Sequence, residues 1–234
     1  MAFRSFEVSF CYYVIMIKVK ICGIKRIEDA LAAISYGADA IGLLVGQEHT
    51  SDDFIDDELA KSIVEALPPF CSSVMVTHLT DVPKIIELAS KIGVTTIQLH
   101  GYSKPSDVND IKIALPYIKI YKAIHITGED SVDIGKDFLP FVDAVLLDTT
   151  NLSTGQVGGT GITHDWSISK KIVQEYNKPV ILAGGLTPDN VADAIKYVMP
   201  FGVDVNSGIK GADGYKDKDK LNDFIGNAKL ALGY

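Results

Sequence analysis

From Lys18 onward the chain alternates short runs of β-branched and aliphatic residues with longer stretches whose apolar positions recur at helical spacing. Residues 17–22 read as a strand. Ile27, Ala30, Leu31 and Ile34 then fall at i, i+3, i+4 and i+7, which predicts one face of a helix that Gly37 ends. The same alternation predicts strands at 40–45, 73–77, 95–99 and 118–124, with helices near 57–66, 83–92 and 106–115. Pro83 suits a first helical turn and Gly93 a C-terminal cap. Three further pairs follow, at 144–148 with 167–176, 180–184 with 188–198, and 203–206 with 218–230. In the second of these, Thr187 is the expected N-cap, and Val191, Ala194, Ile195 and Val198 the buried stripe. Eight strands alternating with helices, without a linker, predict one α/β domain over residues 16–234, a (β/α)8 TIM barrel. A doubly wound open sheet is the competing architecture, and it usually needs fewer units.

Composition agrees with one folded domain: of 234 residues, 47% are hydrophobic and 22% charged, enough to bury a sizeable core. The formal net charge of −8 argues against nonspecific binding to nucleic acid or to an anionic membrane, and leaves a small molecule as the expected partner. Cys11, Cys22 and Cys71 form no CxxC pair and no disulfide framework, which fits a reducing compartment and a cytoplasmic location. Residues 1–15 are apolar but short and carry no small-residue cleavage site, so no signal peptide is expected. Because Met16 directly precedes the first strand, they are expected to form an extension outside the fold. Monomer and homodimer both fit, since no outer helix shows an obvious unpaired apolar face.

In such a barrel the chemistry lies at the C-terminal ends of the strands. There the sequence places Cys22 and Gly23, His78, Gln98 with His100 and Gly101, His125, Asp148, Gly184 with Gly185, and Asp204, Asn206, Ser207 and Gly208. Gly184-Gly185 and Ser207-Gly208 lie on the last two strands, where backbone N–H groups could approach a phosphate closely; the plain alternative is that these glycines only make tight turns. The stretch 155–161, GQVGGTG, is long and polar enough to be a lid on the site after Asp148, or a surface loop. Cys22 is a candidate base if neighbouring charge lowers its pKa, and otherwise an inert buried thiol. Asp148, a carboxylate after an apolar run, needs a partner or a task.

Together these segments resemble the phosphoribosylanthranilate isomerase family of tryptophan biosynthesis across nearly all of residues 17–232. The resemblance is carried by Lys20-Ile-Cys-Gly-Ile24, Gly37-Ala-Asp-Ala-Ile-Gly42, Ile97-Gln-Leu-His-Gly101, Leu146-Leu-Asp-Thr149, Gly158-Gly-Thr-Gly161 with Asp165-Trp166, Leu182-Ala-Gly-Gly-Leu186, and Val203-Asp-Val-Asn-Ser-Gly208. It implies an Amadori rearrangement with Cys22 as general base and Asp148 as general acid. It also implies substrate contacts from His100, Asp204 and Gly159, phosphate binding at Gly184, Gly185, Ser207 and Gly208, and no metal or organic cofactor. Asp165 and Trp166 could equally be structural, anchoring the end of the glycine loop. One departure stands out: the family has an arginine after the second strand that grips the anthranilate carboxylate, and residues 46–54 here, GQEHTSDDF, have none. An acidic loop should bind that carboxylate poorly, and His49 could replace the arginine only when protonated.

That departure leaves open a divergent isomerase acting on a phosphorylated aminosugar without the carboxylate. A second alternative is a metal-dependent lyase or hydrolase using His78, His100 and His125 from adjacent strands. A third is a phosphate-sensing barrel without catalysis, in which loss of both Cys22 and Asp148 would be expected; both are present.

Overall fold

A computed structural model describes residues 16–47, 52–151, 156–157 and 164–233. Its strands are β1 (Lys18–Ile21), β2 (Ala40–Leu44), β3 (Ser72–Thr77), β4 (Thr96–Leu99), β5 (Lys119–Ile126), β6 (Ala144–Asn151), β7 (Gln156–Val157), β8 (Val180–Leu182) and β9 (Gly202–Val205). All neighbours pair in parallel except β6 with β7, and the order β1-β2-β3-β4-β5-β6-β8-β9 closes on itself through β9 and β1. The helices are α1 (Ile27–Ser35), α2 (Asp57–Ala66), α3 (Val82–Ile92), α4 (Pro105–Ala114), α5 (Ser131–Lys136), α6 (Trp166–Glu175), α7 (Val191–Val198) and α8 (Lys218–Leu230). The result is the expected closed eight-stranded barrel, with β7 as a short antiparallel addition to β6.

Strand alternation sorts the side chains into two layers. Ile21, Ile41, Met75, Ile97, Ile120, Leu147, Leu182 and Val203 join the core that also holds helix residues such as Ile63, Ile85, Ile172 and Phe224. Burying one such aliphatic side chain contributes about 1.5–3 kcal/mol, which ties each helix to the sheet. A second set forms two small clusters, Ala123, Ala144, Leu146, Ile181 and Ala183 on one side, Cys22, Leu44, Val74 and Val76 on the other, with Tyr121 packed against both.

Several boundaries depart from the sequence pattern. On α1 the buried positions are Asp29, Ala30 and Ala33, while Leu31 is exposed, because Ala33 rather than Leu31 faces the sheet. Helix α7 begins at Val191, not at 188, and Thr187 does not cap it. The Thr187 N–H donates to Asn190 Oδ1 at 2.8 Å, closing a turn that uses the capping groups locally. For α5, only six residues long, the sequence pattern marks no range. Gly37 and Gly93 do take the left-handed conformation expected of them, at φ 105° and 79°, and Val191, Ala194, Ile195 and Val198 are the buried stripe of α7.

Candidate active site at the barrel mouth

Cys22 follows β1, and its N–H donates to Val205 O at 2.8 Å, so β9 fixes where the thiol stands. Two residues earlier on the same face is Lys20, whose Nζ lies 2.8 Å from Asp204 Oδ2, with both groups buried. Gly42 on the neighbouring strand makes room for them: a Cβ there would lie 2.9 Å from Cys22 Sγ and 3.0 Å from Lys20 Cε. Burial pushes the Cys22 thiol up to about 11, Lys20 and Lys216 pull it down, and Asp204 adds to the rise. Burial would also lower Lys20, but the Asp204 carboxylate and the Cys22 sulfur outweigh it and hold the ammonium charged. On Asp204 burial is the larger influence and raises the carboxyl against the pull of Lys20. At 2.8 Å from a charged ammonium, Asp204 is one half of an ion pair.

Asp148 sits on β6 in register with His125 of β5. Its Oδ1 accepts the Thr149 N–H at 2.7 Å, and its Oδ2 lies 3.3 Å from His100 Nε2. Burial would raise this carboxyl, yet the hydrogen bond and electrostatic pull of His100, with the Thr149 N–H, hold it below the usual carboxylate range. On its far side His100 Nδ1 meets Gln98 Nε2 at 3.1 Å, and His125 Nε2–H donates to His100 O at 3.0 Å. The rings of His78, His100 and His125 stack edge to face in sequence, at centroid distances of 4.8 and 5.0 Å. His78 Nδ1 pairs with Gln47 Oε1. Burial pushes His125 down to about 4.

Cys22, His100, Asp148, Gly184, Gly185, Asp204 and Ser207 all line one cavity of about 1380 Å³, so the thiol and the carboxylate open into a shared compartment. Gly184 and Gly185 have φ of 82° and 66°, and the Gly185 carbonyl accepts from Asn190 Nδ2 at 3.0 Å. Gly208 is not at the cavity surface. It lies behind, where a Cβ would overlap Leu186 O, so it lets the two rim turns pack backbone to backbone. Gly159 and His49 fall outside the described residues, as does most of the stretch 155–161. Asp165 caps α6 by accepting from the Ser167 N–H at 2.9 Å, a structural role.

One acidic residue after β2 is less repulsive to an anion than the sequence implies. Asp53 pairs with Lys210 at 2.6 Å, receives Asn206 Nδ2 at 2.9 Å, and lies 3.9 Å from Lys25, so its charge is neutralised. Sequence reasoning assigned no role to Lys20, although a lysine inside a strand bound for a barrel interior is itself a signal. It also passed over Lys122, whose ammonium donates to Leu99 O and Gly101 O and which burial pushes down to about 8. The mixed pair of His164 with Thr149 Oγ1 at 3.0 Å and Ser169 Oγ at 2.5 Å was likewise unmarked. Among the described residues, no helix is long and apolar enough to cross a membrane.

Comparison with known proteins points in one direction. The family model for N-(5'-phosphoribosyl)anthranilate (PRA) isomerase matches residues 19–227. An N-(5'-phosphoribosyl)anthranilate isomerase 2 of Methanosarcina mazei is 50% identical over 212 residues, covering 91% of this chain and 94% of that protein. The phosphoribosyl anthranilate isomerase of Thermotoga maritima superposes with a TM-score of 0.81 at 36% identity, over 92% of this chain and 99% of the other. A further structure, of such an isomerase in complex with reduced 1-(o-carboxyphenylamino)-1-deoxyribulose 5-phosphate, matches with a TM-score of 0.78 at 35% identity, over 92% and 99%. The divergent aminosugar isomerase considered above finds no support among these relatives.

Proposed function

Because the chain belongs to the N-(5'-phosphoribosyl)anthranilate isomerase family, we propose that Cys22 and Asp148 convert N-(5'-phosphoribosyl)anthranilate to 1-(o-carboxyphenylamino)-1-deoxyribulose 5-phosphate, a step of tryptophan biosynthesis carried out in the cytoplasm. The observation that carries this reading is that the one thiol and the one carboxylate named for the chemistry line the same cavity, which the glycine turn at Gly184-Gly185 also lines. The phosphate binds at the Gly184-Gly185 and Ser207 turns, with Gly208 giving the second turn its path. Asp204 acts through its ion pair with Lys20, and His100 through its contact with Asp148.

Asp148 protonates the ribose ring oxygen, and the C1–O bond opens to a Schiff base on the anthranilate nitrogen. The Cys22 thiolate then removes the proton from C2. Electrons move into the iminium, and the enolamine that results tautomerises to the ketone. In the free protein Asp148 is a carboxylate, so its proton is taken up with the anionic substrate, whose charge raises the carboxyl's affinity for a proton. Cys22 starts as a thiol, and the Lys20 ammonium favours the thiolate when the proton leaves.

Turnover of N-(5'-phosphoribosyl)anthranilate by the purified protein, with Cys22→Ala and Asp148→Ala, tests the assignment. Each variant is expected to lose at least about 1000-fold in kcat/KM, with an unchanged circular dichroism spectrum. Turnover within tenfold of the parent in either folded variant removes that residue from the chemistry.

A further inference from the structure

On the Asp148 side of the cavity, the isomerisation leaves part of the polar structure unexplained. Among the described residues, His125 uses its Nε2–H on His100 O at 3.0 Å, so its Nδ1 carries a lone pair, and that atom is buried without a hydrogen-bond partner. A buried acceptor left unsatisfied has lost its hydration with no bond to replace it. Beside it, Gln98 Oε1 is a second buried acceptor without a partner among the described residues, because the amide presents Nε2 to His100 Nδ1. Among the described residues, one ligand atom from each of His100, His125 and Asp148 can be chosen so that all three lie within 4.8 Å of one another.

We propose that His100, His125 and Asp148 form a binding site for a single zinc-like divalent ion, and that an ion seated there switches the isomerase off by engaging Asp148. The donor set of two imidazole nitrogens and one carboxylate oxygen matches borderline ions such as zinc rather than magnesium or calcium, which prefer oxygen alone. His78 stands beside the trio with its Nδ1 on Gln47, and Asp148, not His78, supplies the third ligand. The geometry is open but close: three atoms no further apart than that have a common centre at most about 2.8 Å from each, so each donor moves in by at most about 0.7 Å to reach a 2.0–2.2 Å bond.

The surrounding bonds already suit a metal site. Histidine ligands usually donate their second ring N–H to an oxygen, which fixes ring and tautomer. His125 does so through the His100 carbonyl. A half-turn of the Gln98 amide lets its Oε1 accept an Nδ1–H from His100, satisfying that oxygen and turning a lone pair on His100 Nε2 toward Asp148. Without an ion, that lone pair would face a carboxylate; with one, both donors point at the same cation. The remaining coordination positions open to the cavity, for water. While the ion is bound, Asp148 cannot accept the proton that ring opening requires, so inhibition is reversible and follows occupancy.

The test uses the full-length protein stripped of metal by chelation. Calorimetric titration with zinc chloride is expected to show one ion per chain, and turnover should fall over the same concentration range and return on adding chelator. His125→Phe should weaken zinc binding at least tenfold and move the inhibition curve by the same factor, while the zinc-free kcat/KM stays within about threefold of the parent. Cobalt(II) substitution adds a readout independent of turnover: visible d–d bands without a thiolate charge-transfer band are expected. A thiolate band, or zinc affinity unaltered in folded His125→Phe, places the ion on Cys22 or elsewhere and overturns the proposal. Absence of zinc binding at millimolar concentration overturns it as well.

Discussion

A lysine ammonium in a barrel interior is costly unless it is paired, and Lys20 is held by Asp204 at 2.8 Å while standing beside the Cys22 thiol. Lys20→Met should therefore act twice. It leaves Asp204 buried without a counter-charge, at a cost of about 3–5 kcal/mol in urea unfolding, and it removes the cation that favours the thiolate. The pH dependence gives the sign. With Cys22 pushed up to about 11, the thiolate fraction below that value grows tenfold per pH unit, so kcat of the parent, which reports the substrate-bound state in which Asp148 has already taken up its proton, should climb through the neutral and mildly alkaline range. In Lys20→Met the climb should be displaced to higher pH; a profile that keeps its midpoint with only the plateau lowered would count against the thiolate role. The position of Cys22 and Asp148 at the barrel mouth is legible in the sequence because each falls toward the C-terminal end of a strand run. Lys20 is not, because its meaning comes from a carboxylate 184 positions away.

At the scale of elements, two glycines that look alike in sequence should behave differently when replaced. Gly93 caps α3 at φ 79° with nothing within 4 Å of an added Cβ, so Gly93→Ala should cost about 1 kcal/mol from backbone strain alone and leave KM unchanged. A Cβ on Gly208 would overlap the Leu186 carbonyl, which is backbone and cannot swing aside. Gly208→Ala should therefore force the rim turns apart, raising KM for the phosphorylated substrate at least tenfold, measured by steady-state kinetics; an unchanged KM would separate that turn from phosphate binding. The strands were readable because β-branched runs in a parallel barrel are buried on both faces. The start of α7 was not, since Thr187 and Asn190 satisfy each other in a turn whose residues are equally those of an N-cap. Nor was α5, whose six residues complete too few turns to show a helical period.

For the molecule as a whole, His125 and His164 are both pushed down to about 4 by burial, from an ordinary value of 6.5. The unfolded chain thus takes up protons near pH 6.5 that the folded chain refuses until about 4, and stability falls on acidification across that window. Urea unfolding at pH 5 should show a loss of roughly 1–2 kcal/mol per histidine relative to pH 7, and His164→Gln should remove one histidine's share of the slope. The closed barrel was legible from the count of alternating units, whereas this acid sensitivity was not, because it depends on which histidines the fold encloses. β6 continues past Asp148 to Asn151, and its last residues pair with β7. The carboxylate is therefore held in mid-strand, paired through His125 with β5 on one side, one residue past the end of the pairing with β8 on the other, and not carried on the loop that follows. Insertions or exchanges beyond Asn151 can accordingly be made while Asp148, the proposed proton donor, keeps its place, which makes that segment the natural starting point for varying the sequence without disturbing the proposed chemistry.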